Sequence, residues 1–76
     1  MSGWMSEVIF RNAHGNYRSI KVPGRVRPPS GKEEVQFSSG SRLPRTYKVT
    51  ASSVYLWSSG KKSWVRLGSV VGFTKH

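Results

Sequence analysis

The chain contains no cysteine and no aspartate, and its only acidic residues are Glu7, Glu33 and Glu34. Without cysteine there is no disulfide framework and no thiolate zinc site. Two histidines and three glutamates leave too few ligands for a metal centre, so none is expected, and the same shortage argues against acid–base catalysis. His14 and His76 could be drawn beside Glu33 or Glu34 as a general acid–base set, but no spacing supports it, and no catalytic residue is assigned. Neither Gly-x-Gly-x-x-Gly nor Gly-x-x-x-x-Gly-Lys-[Ser/Thr] occurs, so no nucleotide or other small-molecule cofactor is expected. The expected function is therefore non-enzymatic.

Long apolar runs are missing too. No stretch of about 18 apolar residues exists to cross a bilayer, and no basic amphipathic helix offers to lie on one. A membrane partner is not expected. The first residues lack a basic segment followed by an apolar one, which makes the cytoplasm the expected compartment. Helix formers are scarce: two Ala and three Leu stand against nine Val, and Gly or Pro interrupts every long run.

What is present in excess is positive charge. Seven Arg and six Lys give a formal net charge of +10 over 76 residues, spread along the whole chain. A magnitude of about 2–8 would serve solubility in a small domain, so the surplus points to a polyanionic partner. Nucleic acid, DNA or RNA, comes first and an acidic protein surface second.

Ser, Gly and Pro make up a third of the residues, while Leu, Ile, Val and Phe number only 17, close to the boundary of disorder. The patterning argues for a fold. Aromatic and Val residues alternate in short runs divided by Gly, Pro, Asn and Ser, as in a set of short strands. Strands are expected at Glu7–Arg11, Tyr17–Val22, Glu33–Ser38, Thr46–Thr50, Val54–Trp57 and Trp64–Leu67, with a short closing strand near Gly68–Phe73. Residues 1–6 read as a flexible leader, 7–73 as one small β domain and 74–76 as a tail. The first hairpin is expected to turn at His14-Gly15-Asn16, pairing Val8 with Val22 and Phe10 with Ile20. The expected architecture is all-β: five or six short antiparallel strands in a small, partly open barrel or strongly twisted sheet, SH3-like or OB-like in type, with little or no helix. The two glutamates at Glu33-Glu34 suggest that this strand is turned away from a polyanion.

The sharpest local pattern is Val54-Tyr55-Leu56-Trp57, a Gly-containing loop, and Trp64-Val65-Arg66-Leu67. Pairing Ser58 with Ser63 sets Trp57 opposite Trp64 and Tyr55 opposite Arg66. Val54, Leu56, Val65 and Leu67 then form an aliphatic face. The opposite face is aromatic and basic. Aromatic faces beside a cationic track are what single-stranded nucleic acid stacks on, although a Trp pair can equally fill the core of so short a domain. The candidate nucleic-acid-binding residues are Arg25, Arg27, Arg42, Arg45, Lys48, Tyr55, Trp57, Lys61, Lys62, Trp64 and Arg66, of which the loop residues stay exposed in any topology. Arg11, Arg18 and Lys21 belong to a wider basic set. The expected function is nucleic-acid binding with modest sequence selectivity. The alternative is a small regulator or inhibitor, of a kind a bacteriophage encodes, docking on an acidic surface of a larger nucleic-acid machine such as RNA polymerase or an RNA-guided nuclease.

Overall fold

A computed structural model describes residues 3–75 and is all-β. Six strands run β1 Met5–Asn12, β2 Tyr17–Lys21, β3 Glu34–Ser39, β4 Arg45–Thr50, β5 Ser53–Ser58 and β6 Ser63–Lys75. They form one antiparallel sheet in the order β2-β1-β6-β5-β4-β3. The sheet curls into a half-barrel whose two edges, β2 and β3, do not pair. One hydrogen bond spans the gap, from the Ser39 hydroxyl to the Lys21 carbonyl at 2.7 Å. Charged side chains on the edge strands, such as Lys21 and Glu34, oppose addition of a further strand. Among the described residues no helix is long and apolar enough to cross a membrane.

Alternation sorts the side chains. Val8, Phe10, Ile20, Val22, Phe37, Val49 and Val54 line the inner face with Met5 and form the buried core, against which Val26, Val35, Tyr47, Leu67, Val70 and Phe73 pack. No indole takes part. The core is built mainly from branched aliphatic residues and Phe, the types that fit a pleated, buried surface.

Three details differ from the sequence-based expectation. The first hairpin slips by two residues, so Val8 faces Ile20 and Phe10 faces Arg18. Asn12 causes this: its side-chain carbonyl accepts the amides of His14 at 2.9 Å and Asn16 at 3.0 Å, and its backbone carbonyl accepts that of Gly15. The loop is therefore Ala13-His14-Gly15, with Gly15 at φ 82°. A shift of two preserves which face each residue takes. Met5 and Ser6, expected in the leader, belong to β1, and Met5 is fully buried with its amide bonded to the Val26 carbonyl at 2.8 Å.

The third difference concerns β6. Gly68 does not separate two strands; it lies inside one strand of 13 residues that pairs first with β5 and then with β1. At Gly68 the two partners converge, Val54 on one side and Asn12 on the other. A Cβ there would collide with the Arg11 carbonyl and press on the Phe10 ring. Glycine is thus required by close approach of backbones, not by a turn.

Candidate nucleic-acid interface

The β5–β6 hairpin adopts the expected register: Tyr55 opposite Arg66, Trp57 opposite Trp64 and Ser58 opposite Ser63. Its loop is fixed by the Lys61 amide donating to the Ser58 hydroxyl at 3.2 Å. The left-handed residue in this loop is Lys62 at φ 52°, although Gly60 stands two positions away.

Because Val54 and Leu56 point inward, Tyr55 and Trp57 stand on the outer face, together with Trp64 and Arg66. The two indoles meet edge to face, with centroids 5.2 Å apart and planes at 69°. Lys48 on β4 lies opposite Tyr55 and joins this group. Its ammonium stands 4.9 Å from the Tyr55 ring and 4.9 Å from the Trp64 ring, and it reaches the Glu34 carboxylate at 3.7 Å. The ring faces turned towards Lys48 are therefore occupied by the protein's own cation. Trp57, 41% exposed, is the indole with the most open surface at this site.

Two hydrogen bonds orient Arg66. Its Nε donates to the Ser53 hydroxyl at 3.2 Å and its Nη2 to the Ser69 hydroxyl at 2.9 Å. Both acceptors are neutral hydroxyls, so these bonds form no ion pair and leave further guanidinium donors unused.

Arg45 is not brought to this face: it alternates with the inward Tyr47 and Val49 and, with Lys61, borders a separate depression of about 480 Å³ floored by the inward Leu56 and Val65. Lys62 sits in the same hairpin loop and Arg42 in the β3–β4 loop, both exposed. Arg25 and Arg27 take another position, on the crossover between β2 and β3. Arg25 is exposed, while Arg27 lies 5.4 Å over the ring of Trp4. The acidic strand is not turned away from this face. Val35 and Phe37 of β3 point inward; Glu34 borders the aromatic group and is taken up by Lys48. Glu33 precedes the strand and accepts the Ser30 hydroxyl at 2.9 Å and the Ser30 amide at 3.1 Å. These two bonds, the hydroxyl first, hold its carboxyl below the usual glutamate range.

Among the described residues no group of three or more His, Cys, Asp or Glu is placed to hold a metal. Comparison with protein-family models, with curated proteins and with solved structures gives no significant match.

Proposed function

We propose that this chain is a non-enzymatic, cytoplasmic module that binds single-stranded nucleic acid across the outer face of the β5–β6 hairpin. The observation that carries the reading is the exposed Trp57 indole, braced edge-on by Trp64 on a face that also carries Lys48 and Arg66. Trp57 offers a base a stacking surface worth about 1–3 kcal/mol. Lys61 and Lys62 supply phosphate contacts at one end of the hairpin and Arg66 further along β6, while Arg45 takes no part on this face. Lys48 serves chiefly to organise the two rings it touches. Stacking accepts any base, and phosphate contacts carry no sequence information, so selectivity is modest. Titration of ¹⁵N-labelled protein with a short oligonucleotide tests the reading. Shifts concentrated at Trp57, Trp64, Tyr55 and Arg66 support it; shifts confined to the crossover around Arg25 and Arg27 would refute the placement.

A second reading has one observation behind it. Leu43, 84% exposed between Arg42 and Pro44, stands at the tip of the β3–β4 loop. An apolar tip flanked by Arg42 and Arg45 suits an acidic protein surface with an apolar pocket, as in a regulator of a nucleic-acid machine. A protein partner captured after nuclease treatment and lost in Leu43→Ser would favour it over the first.

A further inference from the structure

Arg11 and Arg66 come from strands at opposite ends of the sequence, yet they line the same notch. It has a volume of about 400 Å³, and its other walls are Asn12, Ala13, Gly15, Leu67, Gly68 and Ser69. The register explains the meeting. Arg11 on β1 lies opposite Ser69 on β6, the serine whose hydroxyl accepts Arg66 Nη2 at 2.9 Å. Arg66 can reach Ser69 because a register shift between Val54 and Tyr55 leaves Leu67 as an extra residue on β6. The Arg11 guanidinium, in turn, lies against Gly15. A Cβ at that position would come within 3.4 Å of its Nη2, so the left-handed turn also makes room for the arginine.

No carboxylate lines the notch, and the one ion pair among the described residues, Lys48–Glu34, lies elsewhere. Both arginines line the notch, and like charges that share a small space repel each other. An anion placed between them removes the repulsion and gains charge-assisted hydrogen bonds in the planar geometry that arginine offers to phosphate.

We infer that the Arg11–Arg66 notch is a phosphate subsite that takes one backbone phosphodiester of the bound single strand. It rests on the reading of the hairpin as a nucleic-acid interface and adds to it a fixed anchor. Trp64 and Arg66 are two residues apart on one strand, about 7 Å. A base stacked at the Trp pair therefore leaves a neighbouring phosphate within reach of the notch. The bound strand then crosses the sheet from β5 over β6 towards β1. Arg11 has no hydrogen-bonding role among the described residues comparable to that of Arg66, so Arg11→Gln probes the subsite without disturbing the sheet.

The test uses an oligothymidylate of about twelve nucleotides, within the site size of a small β domain, followed by tryptophan fluorescence at several salt concentrations. Arg11→Gln is expected to weaken binding about tenfold, the size of one charge-assisted contact. It is also expected to reduce the log–log salt slope by about 0.7, with the saturating quench unchanged and the melting temperature no lower. If the wild type binds and Arg11→Gln matches it in affinity and slope, the notch is refuted while the interface stands. Equal affinity with and without a 5′-phosphate is the expected result; binding only of the phosphorylated oligomer would refute the backbone assignment. Inorganic pyrophosphate provides a separate arm, read by the Nε–H signals of Arg11 and Arg66. Saturable movement of both signals supports the notch even where the oligomer fails to bind, and stationary signals overturn it.

Discussion

The ammonium of Lys48 on β4 lies 4.9 Å from the indole centroid of Trp64 on β6, reaching across Tyr55 on the strand between them. One cation thus ties three strands on the outer face. Its contacts differ in weight. Two ring contacts of a side chain only 17% exposed contribute about 0.5–1 kcal/mol each, whereas the ion pair to the half-exposed Glu34 contributes about 0–1 kcal/mol. Lys48→Met is therefore expected to lower stability by about 1–3 kcal/mol and Glu34→Gln by less than about 1 kcal/mol. Chemical denaturation of both variants checks the order; a larger loss in Glu34→Gln would place the weight on the ion pair.

Gly68 and Gly72 lie on the same strand and predict opposite outcomes. A Cβ at Gly68 meets the backbone of β1, which is unable to move without breaking its ladder, while at Gly72 nothing stands within 4 Å. Gly68→Ala is expected to cost about 1–3 kcal/mol or more through overpacking. Gly72→Ala is expected to be neutral or stabilising by about 0.4–1 kcal/mol, through the unfolded chain. Thermal melts of the two variants decide it; equal melting temperatures would show that β6 does not make the close approach at Gly68.

Lys62 holds a left-handed conformation in the hairpin loop, at φ 52°. A lysine there costs about 1 kcal/mol relative to residues that tolerate the region, among which Asn has a short side chain and no charge. In Lys62→Asn, stability and binding should move apart. The melting temperature is expected to rise, while the salt slope of oligonucleotide binding falls by about 0.7 as one phosphate contact is lost. Melting and titration of the same sample check it, and a drop in both would mean that the Lys62 side chain braces the loop.

Glu33 organises the turn leading into β3 by accepting two hydrogen bonds from Ser30. Its folded-state pKa is depressed, so the ionised form is the one that the fold favours. The contribution is complete above the ordinary glutamate value and is lost as the pH falls through the lower folded value. The Ser30 amide signal is expected to titrate with a midpoint below that of an unperturbed glutamate, and Glu33→Gln to abolish the transition. A midpoint at or above the ordinary value would contradict the bonding.

The sequence carries most of the local structure. Alternation of Val and aromatic residues places the strands. The Ser58–Ser63 pairing follows from keeping Trp and aliphatic residues on separate faces, and the structure adopts it. The first hairpin shows the limit of that reasoning, because a shift of two residues leaves every face unchanged. Only the Asn12 side chain, closing on His14 and Asn16, selects between the registers. Pairing of β1 with β6 is beyond local reading, since it joins residues about sixty positions apart and nothing in either segment names its partner. For that reason Arg11 reads as one basic residue among many, and its meeting with Arg66 emerges only from the sheet order. The Trp pair was open between core and surface for a related reason: which face of the hairpin turns inward depends on strands β4 and β1, which flank it.

The most direct test of the central claim is a fluorescence titration of the wild type and Trp57→Ala with single-stranded oligothymidylate between about 50 and about 200 mM salt. The expected result has two parts. Wild-type affinity falls steeply, by a log–log slope of about 0.7 for each phosphate engaged. At every salt concentration Trp57→Ala binds about 5- to 150-fold more weakly, the equivalent of one stacked base, while retaining the same slope. Affinity that ignores salt, or a Trp57→Ala variant that binds as tightly as the wild type, would contradict the claim that this outer face holds a nucleic-acid strand.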